Sequence, residues 1–170
     1  GAKQMFEWGP GSLFAPPKNT YYRLHNGGRE PVVFFAITTA PRIINSLNEV
    51  DFVFNCKHNF TDFYNGQEYY FNQTQDRVTG GRYNTTTWYT NFISDVNREN
   101  VDAHEQKVAG GQLTGYRMAG QFPTGHISEW PVGRYHKAHY HRPGAVLVGL
   151  KGKGYVNLWP KELGIHPWQD

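Results

Sequence analysis

The segment from Gly133 to Gly154 constrains the fold of this chain more than any other part of the sequence. A Pro-Gly pair and a Lys-Gly-Lys-Gly run divide it into short stretches, and residues of these types end strands and form turns. His139 and His141 lie two positions apart, and side chains at that spacing project from the same face of a strand. The segment therefore predicts a strand that directs two imidazoles, which are common ligands of transition metals, into one cavity.

The frame of this segment resembles the first signature of the cupin superfamily, which contains a glycine, a His-x-His pair, a glutamate and a further glycine. The matching positions hold Gly133, His139, His141 and Gly152, whereas Ala145 or Val146 stands where the signature has its glutamate. The resemblance implies an all-β fold, the jelly-roll-like double-stranded β-helix barrel of cupins, with short helices. It also implies that His139 and His141 bind a metal.

A second cupin signature is matched in part near the other end of the chain. Gly11, Pro17 and Asn26 occupy its frame. Asn19 replaces the turn glycine, which is tolerable because asparagine adopts left-handed backbone angles more readily than most residues. Tyr22 replaces the histidine that binds the metal in this signature. The resemblance therefore implies a site that keeps its fold markers and has lost its metal ligand.

The two signatures occur in the reverse of their usual order, which bears on domain organisation. We expect residues 1–42 to be the second half of a first cupin barrel, as in a two-domain bicupin. Residues 113–170 are then the first half of a second barrel, and residues 43–112 are a connecting segment or arm with a short helix. In the alternative, residues 1–170 form one circularly permuted barrel whose two halves close on each other.

Local patterns predict elements inside this framework. Residues Val32–Thr38 are a continuous apolar run with β-branched content, which is typical of a buried strand. Residues 42–48 carry apolar side chains at helical spacing, which indicates one short helix. Residues 51–54 are compatible with a strand or a surface loop.

The connecting segment is rich in aromatic residues, and disordered segments are typically poor in them. We expect these rings to pack over a barrel or against a neighbouring subunit. The alternative is an aromatic platform for a sugar or an aromatic ligand. The rings concerned are Phe60, Phe63, Tyr64, Tyr69, Tyr70, Phe71, Tyr83, Trp88, Tyr89 and Phe92.

Composition agrees with a β-rich protein and narrows its partners. Aromatic residues make up 16% of the chain, which also holds 19 glycines and 10 prolines, as suits short strands with many turns. No apolar run approaches the ~20 residues of a membrane span. We therefore expect no membrane binding. The formal charge of +3 is modest and no recognition helix accompanies it, so we expect no nucleic-acid binding either. A single cysteine, Cys56, favours the cytoplasm and leaves secretion open.

The metal-ligand set is incomplete in the sequence. A catalytic metal typically has about three protein ligands and an open position. His136 differs from His139 in parity, so a regular strand would place it on the opposite face. By resemblance, the lost glutamate implies a three-histidine site whose late histidine lies outside this chain. Fe(II) is the expected metal, with Mn, Ni, Cu and Zn as alternatives, and none if the site is degenerate.

The resemblance implies a dioxygenase of the gentisate type, acting on a small carboxylated, aromatic substrate. Arg134, Arg142 or Arg23 would clamp the carboxylate, since guanidinium groups bind carboxylates bidentately. Tyr22 would form part of the pocket wall. Two other functions stay open: a non-catalytic cupin with degenerate metal sites, and a cupin isomerase or decarboxylase. A homo-oligomer, or association with the remaining part of a bicupin, is expected in each case.

Overall fold

The computed structural model of the chain describes residues 3–72, 76–80, 85–98, 111–120, 124–141 and 144–166. In chain order, its strands and α-helices are β1 (Leu13–Phe14), α1 (Ala40–Leu47), α2 (Asp51–Phe54), β2 (Asp76–Gly80), β3 (Thr85–Tyr89), β4 (Phe92–Ile93), β5 (Gln112–Arg117) and β6 (Gly125–Glu129). Two 3-10 turns, Glu68–Phe71 and Lys161–Leu163, complete the regular structure of these residues. The protein is thus β-rich with few helices.

The main sheet has four strands in the order β2-β3-β5-β6. β3 and β5 run parallel, and the other two pairs are antiparallel. A parallel pair needs a long crossover connection, and the chain between Tyr89 and Gln112 provides it. β1 pairs with β4 in a separate two-stranded sheet. The strands of the described chain form no closed barrel.

The buried core lies against one face of the main sheet. Trp88 on β3 is completely enclosed, and Ile93, Val96 and Met118 pack with it. The guanidinium of Arg77 lies 4.4 Å from the centroid of the Trp88 ring, which adds a cation–π contact. Burying a tryptophan removes on the order of 200 Å² from water, so this residue is the largest single contribution to the core.

Several aromatic side chains of the connecting segment pack into the fold, although the described residues form no barrel for them to cover. The Phe6 ring stacks on Phe71 at 4.1 Å between centroids and meets Phe92 edge-on at 5.1 Å. Tyr70 and Trp88 are buried. Packing is therefore confirmed for these rings of the segment. Residues 43–112 also contribute β2, β3 and β4, so the segment supplies much of the core and of the main sheet.

The prediction of a short helix at residues 42–48 is confirmed by α1. Pro41 stands in its first turn, where its fixed φ suits a helix and its missing N–H costs nothing. Asn48 ends the helix in the left-handed conformation, with φ of 51°. The prediction for residues 51–54 was wrong, because they form α2. None of the helices in the described ranges is long and apolar enough to cross a bilayer.

Two apolar stretches, one of them predicted as a strand, belong to no strand. The first open segment, residues 31–38, is fully described, belongs to no strand and is exposed throughout. The second open segment, residues 144–158, is likewise exposed and outside any strand. The predicted strand with His139 and His141 is also absent, since residues 137–141 form no ladder. A strand requires a neighbour with matching register, and no described strand lies beside these residues.

Candidate metal centre

His139 and His141 converge although they lie outside any strand. Their ring centroids are 4.8 Å apart, with the rings nearly perpendicular at 79°. The two Nε2 atoms are separated by 3.0 Å. Both side chains are exposed to solvent. The spacing that predicted two neighbouring imidazoles is therefore realised by the local loop, without the strand that was expected to produce it.

A backbone contact fixes the tautomer of His139. Its Nδ1 lies 2.7 Å from the carbonyl oxygen of Lys137. Because a carbonyl oxygen only accepts hydrogen bonds, the neutral ring carries its proton on Nδ1 and a lone pair on Nε2. His141 Nε2–H then donates to that lone pair. A hydrogen bond from the second ring nitrogen to a backbone carbonyl is the usual support of a histidine ligand.

The separation of the two Nε2 atoms matches that of adjacent ligands on one metal ion. Imidazole nitrogens bind first-row metals at about 2.0–2.1 Å, so two such ligands at a right angle are about 3.0 Å apart. At a tetrahedral angle they are about 3.3 Å apart. The observed 3.0 Å is close to both separations, but a metal would have to replace the hydrogen bond that joins the two Nε2 atoms. His139 and His141 could therefore supply two of the ligands of the implied metal.

His136 lies closer to the pair than the sequence predicted. Its ring centroid is 4.4 Å from that of His139 and 5.8 Å from that of Trp130. The parity argument, which placed His136 on the opposite face, fails because it assumed a regular strand. In a loop the backbone turns between residues, so the alternation of faces is lost. His136 is thus half-buried beside the His139–His141 pair.

A third ligand is not assembled around the pair. Among the residues that the structure describes, no group of three His, Cys, Asp or Glu side chains is placed to hold one metal ion. The described residues therefore offer at most two histidine nitrogens to a metal ion.

The predicted substrate-binding residues are not brought to this pair by any described contact. Tyr22 and Arg23 are exposed in residues 21–25, and Arg134 is exposed just after a turn closed by its own N–H and the carbonyl of Pro131. Within the described ranges, no hydrogen bond or ring contact joins these three side chains to either histidine. Arg142 lies outside the described residues. Their assignment stays a prediction.

A cleft that the sequence did not predict opens at one end of the main sheet. Asp76, Tyr89 and Arg117 stand directly opposite one another across β2, β3 and β5. Opposite residues share a sheet face, so a carboxylate, a phenol and a guanidinium form one row. Together with Phe63 and Gln67 they line a cavity of about 420 Å³. Only the strand register, which depends on distant residues, brings this row together.

Asn91 forms part of the floor of that cleft and holds its walls. Its Nδ2 donates to the carbonyl of Tyr70 at 3.1 Å, and its Oδ1 accepts from Ala119 N–H at 2.7 Å. The side chain is buried. Burial also raises the pKa of the Tyr70 phenol well above its ordinary value, with the Tyr64 phenol adding to the shift. The phenol therefore stays protonated and donates to the Ala15 carbonyl.

Comparison with known proteins adds no relative: no family model, no curated protein and no solved structure matches this chain.

Proposed function

We propose that the chain is a cupin-type metal protein in which His139 and His141 bind non-haem Fe(II), and that it opens the ring of a small carboxylated aromatic substrate with O2. The observation that carries the proposal is the pair of Nε2 atoms 3.0 Å apart, with the lone pair of His139 placed on Nε2 by the contact of its Nδ1 with the Lys137 carbonyl.

The histidines would hold the metal through neutral rings. His139 keeps its proton on Nδ1, hydrogen-bonded to the Lys137 carbonyl, and offers Nε2. His141 must release Nε2 from its hydrogen bond with His139 and carry its proton on Nδ1 instead. When bound, iron of this type coordinates the substrate and O2 together, with the protein fixing the geometry. Mn, Ni, Cu or Zn fits the same nitrogen pair.

The substrate carboxylate would bind to arginine near the histidines. Arg134 lies in the same loop, five positions before His139, and is exposed for contact with a ligand. Arg142 follows His141 directly in the sequence. Arg23 and Tyr22 belong to the segment that resembles the second cupin signature, so their part in the pocket depends on that segment meeting the histidine loop. A guanidinium binds a carboxylate by two parallel hydrogen bonds, which would orient the ring.

The proposal includes the cupin barrel itself. Residues 1–42 and 113–170 would each supply half of a barrel, with residues 43–112 between them, or else the two halves would close into one permuted barrel. Support comes from the exposed, apolar open segments, which have strand-like sequences and lie beside no described strand. The proposed location is the cytoplasm.

A non-catalytic binding or structural cupin is the second candidate. It is favoured by a specific observation, the absence of a third ligand among the described residues. A metal held by two imidazoles alone is weakly bound compared with sites of three or four ligands. A cupin isomerase or decarboxylase would use the same metal pair without consuming O2.

Metal binding and O2 consumption separate these candidates. The protein is loaded anaerobically with Fe(II), desalted and assayed for iron, and then mixed with 2,5-dihydroxybenzoate in an oxygen electrode. We expect about one iron per chain, lost in His139→Ala and retained in the control His25→Ala, whose histidine is exposed and far along the chain. Iron without O2 consumption favours the isomerase or decarboxylase. Iron content unaffected by His139→Ala, or no retained iron, contradicts the proposal.

A further inference from the structure

The cleft at one end of the main sheet has the size and lining of a ligand-binding pocket. Its volume of about 420 Å³ lies within the range of about 300–1,000 Å³ that is usual for small-molecule sites. The aromatic rings of Phe63 and Tyr89 line it together with charged side chains. Apolar surface combined with a few polar groups is typical of a pocket that orients a small ligand. The cleft shares no lining residue with the His139–His141 pair.

Three side chains of different chemistry form the row across the sheet in this cleft. Asp76 stands opposite Tyr89, and Tyr89 stands opposite Arg117. Because neighbouring strands lie about 4.8 Å apart, the backbones of Asp76 and Arg117 are about 10 Å apart, with Tyr89 between them. Tyr89 is 45% exposed and lines the cleft, so a ligand can contact its ring. A negative charge, an aromatic ring and a positive charge thus follow one another along one face of the sheet.

The two charges of this row are not used by the fold. The side chains of Asp76 and Arg117 make no hydrogen bond or ion pair with any described residue. The amide of Gln67, which also lines the cleft, is by contrast occupied within its own loop. Its Nε2 donates to the Phe63 carbonyl at 3.1 Å, and its Oε1 accepts from Asn65 N–H at 2.7 Å. The row therefore holds the charged groups that remain available to a ligand.

The aromatic wall of the cleft is held in place by the protein itself. The Phe63 ring lies against Gly120, where φ is 56° and an added Cβ would overlap the ring. The Lys18 ammonium group lies 4.2 Å from the centroid of the same ring and donates to the Gly120 carbonyl at 3.4 Å. A wall that is fixed before binding reduces the entropy lost when a ligand is bound. The cleft is therefore preorganised at Phe63.

We propose that this cleft binds a free α-amino acid with an aromatic side chain. The carboxylate of the ligand would bind Arg117, since a guanidinium presents two parallel donors to a carboxylate. Its ammonium group would bind the carboxylate of Asp76. Its aromatic ring would pack against Phe63 and Tyr89, because aromatic rings attract one another in stacked or edge-on arrangements. A ligand with a single charge would leave one end of the row unpaired.

The charges of the lining favour a zwitterion over a simple anion. Asp62 and Asp76 contribute two negative charges, and Arg117 contributes the one positive charge of the lining residues. A benzoate or a dicarboxylate would bring negative charge close to two carboxylates, which repel it. An ammonium group is attracted to them, and the aromatic rings add cation–π attraction. A ligand that carries both an ammonium group and a carboxylate therefore matches the lining best.

Isothermal titration calorimetry of the unmodified full chain with three related ligands tests the inference. L-phenylalanine carries both charged groups, 2-phenylethylamine lacks the carboxylate, and 3-phenylpropanoate lacks the ammonium group. We expect L-phenylalanine to bind about 10-fold more tightly than either of the others, because each charge-assisted hydrogen bond adds to the affinity. No binding of L-phenylalanine at millimolar concentration overturns the inference. Binding of 3-phenylpropanoate as tight as that of L-phenylalanine overturns it as well.

Two variants locate the bound ligand in the cleft. Arg117→Gln should weaken the binding of L-phenylalanine by about 10-fold and leave that of 2-phenylethylamine unchanged, whereas Asp76→Asn should weaken both by about 10-fold. Arg29→Gln is the matched control, because Arg29 is exposed and does not line the cleft, so it should bind L-phenylalanine normally. Thermal unfolding shows whether each variant is folded. Unchanged binding in Arg117→Gln, or equal losses in Arg117→Gln and Arg29→Gln, overturns the inference.

The amino-acid site and the metal centre can be tested separately, because they share no residue. Folded His139→Ala should bind L-phenylalanine as tightly as the unmodified protein does, and so should the unmodified protein in the presence of a chelator. Intact binding of L-phenylalanine supports the inference whatever the iron content of the protein. Loss of that binding in folded His139→Ala overturns the assignment of the ligand to the cleft.

Discussion

Gly11 occupies a position that only glycine fits. Its φ is 82°, in the left-handed region, and its carbonyl accepts a hydrogen bond from Val96 N–H at 2.9 Å. A Cβ placed there would overlap Asp95 Oδ1 and lie 2.6 Å from Asn97 Nδ2. The backbone thus passes close under the residues that follow β4, and a side chain at Gly11 would push them apart.

Gly11→Ala should therefore lower the free energy of unfolding by about 2 kcal/mol or more, from left-handed strain plus the steric overlap. Urea denaturation gives the value. Gly9→Ala is the control, because a Cβ at Gly9 meets nothing within 4 Å. Equal losses for the two variants would contradict this account of Gly11.

The carboxyl group of Asp95 makes the free energy of unfolding depend on pH in the acidic range. Hydrogen bonds from Asn97, donated by the backbone N–H and by Nδ2, each at 2.9 Å, lower the pKa of this carboxyl, and Arg98 adds to the effect. The pKa of Asp95 is thus lower in the folded state than in the unfolded state. The ionised carboxylate therefore stabilises the fold above about pH 4, and this stabilisation is lost as the pH falls through the pKa of the folded state.

In Asp95→Asn, stability between about pH 4 and pH 2 should change less steeply than in the unmodified protein. Urea midpoints measured across that range provide the test. Asp62→Asn is the control: this exposed carboxylate makes no hydrogen bond or ion pair within the described chain, so the slope should match that of the unmodified protein. An unchanged slope in Asp95→Asn contradicts the prediction.

The candidate site was only partly predictable at the level of residues. The spacing of His139 and His141 predicted neighbouring imidazoles, and their Nε2 atoms are indeed 3.0 Å apart. The position of His136 was not predictable, because the parity rule holds only for a regular strand. The tautomer of His139 depends on where the Lys137 carbonyl points, which no sequence pattern specifies.

At the scale of structural elements, the side chain of Asn91 connects three elements that are distant in sequence. It links the 3-10 turn at Tyr70, the connection from β3 to β4, and the residues after β5 at Ala119. Asn91→Ala leaves a buried carbonyl and a buried N–H without these partners, and each such group costs about 1–3 kcal/mol. We expect a loss of about 2–4 kcal/mol in thermal or urea unfolding. Asn65→Ala, at an exposed turn, should cost little.

Elements defined by local signals were the predictable ones. Helix α1 has apolar residues at helical spacing and a proline in its first turn, so the local sequence alone is enough to predict the helix. Residues 31–38 have an equally strong strand pattern, yet a strand exists only with a partner, and none stands beside them. The parallel pairing of β3 with β5 was not predictable, because it joins residues separated by a long connection.

At the scale of the whole molecule, two features of the described chain bear on the proposed function. The His139–His141 pair brings two ring nitrogens together, and the open segments are apolar stretches that belong to no strand. Among the described residues, neither a third ligand for the pair nor a strand beside the open segments is present.

The central claim is that both imidazoles bind one metal ion, and X-ray absorption at the iron edge tests it most directly. For the Fe(II)-loaded protein we predict one iron per chain with at least two imidazole nitrogens at about 2.0–2.2 Å. His141→Ala should remove one of these nitrogens, whereas His25→Ala should remove none. Iron surrounded by oxygen ligands alone, or a spectrum unchanged in His141→Ala, would contradict the claim.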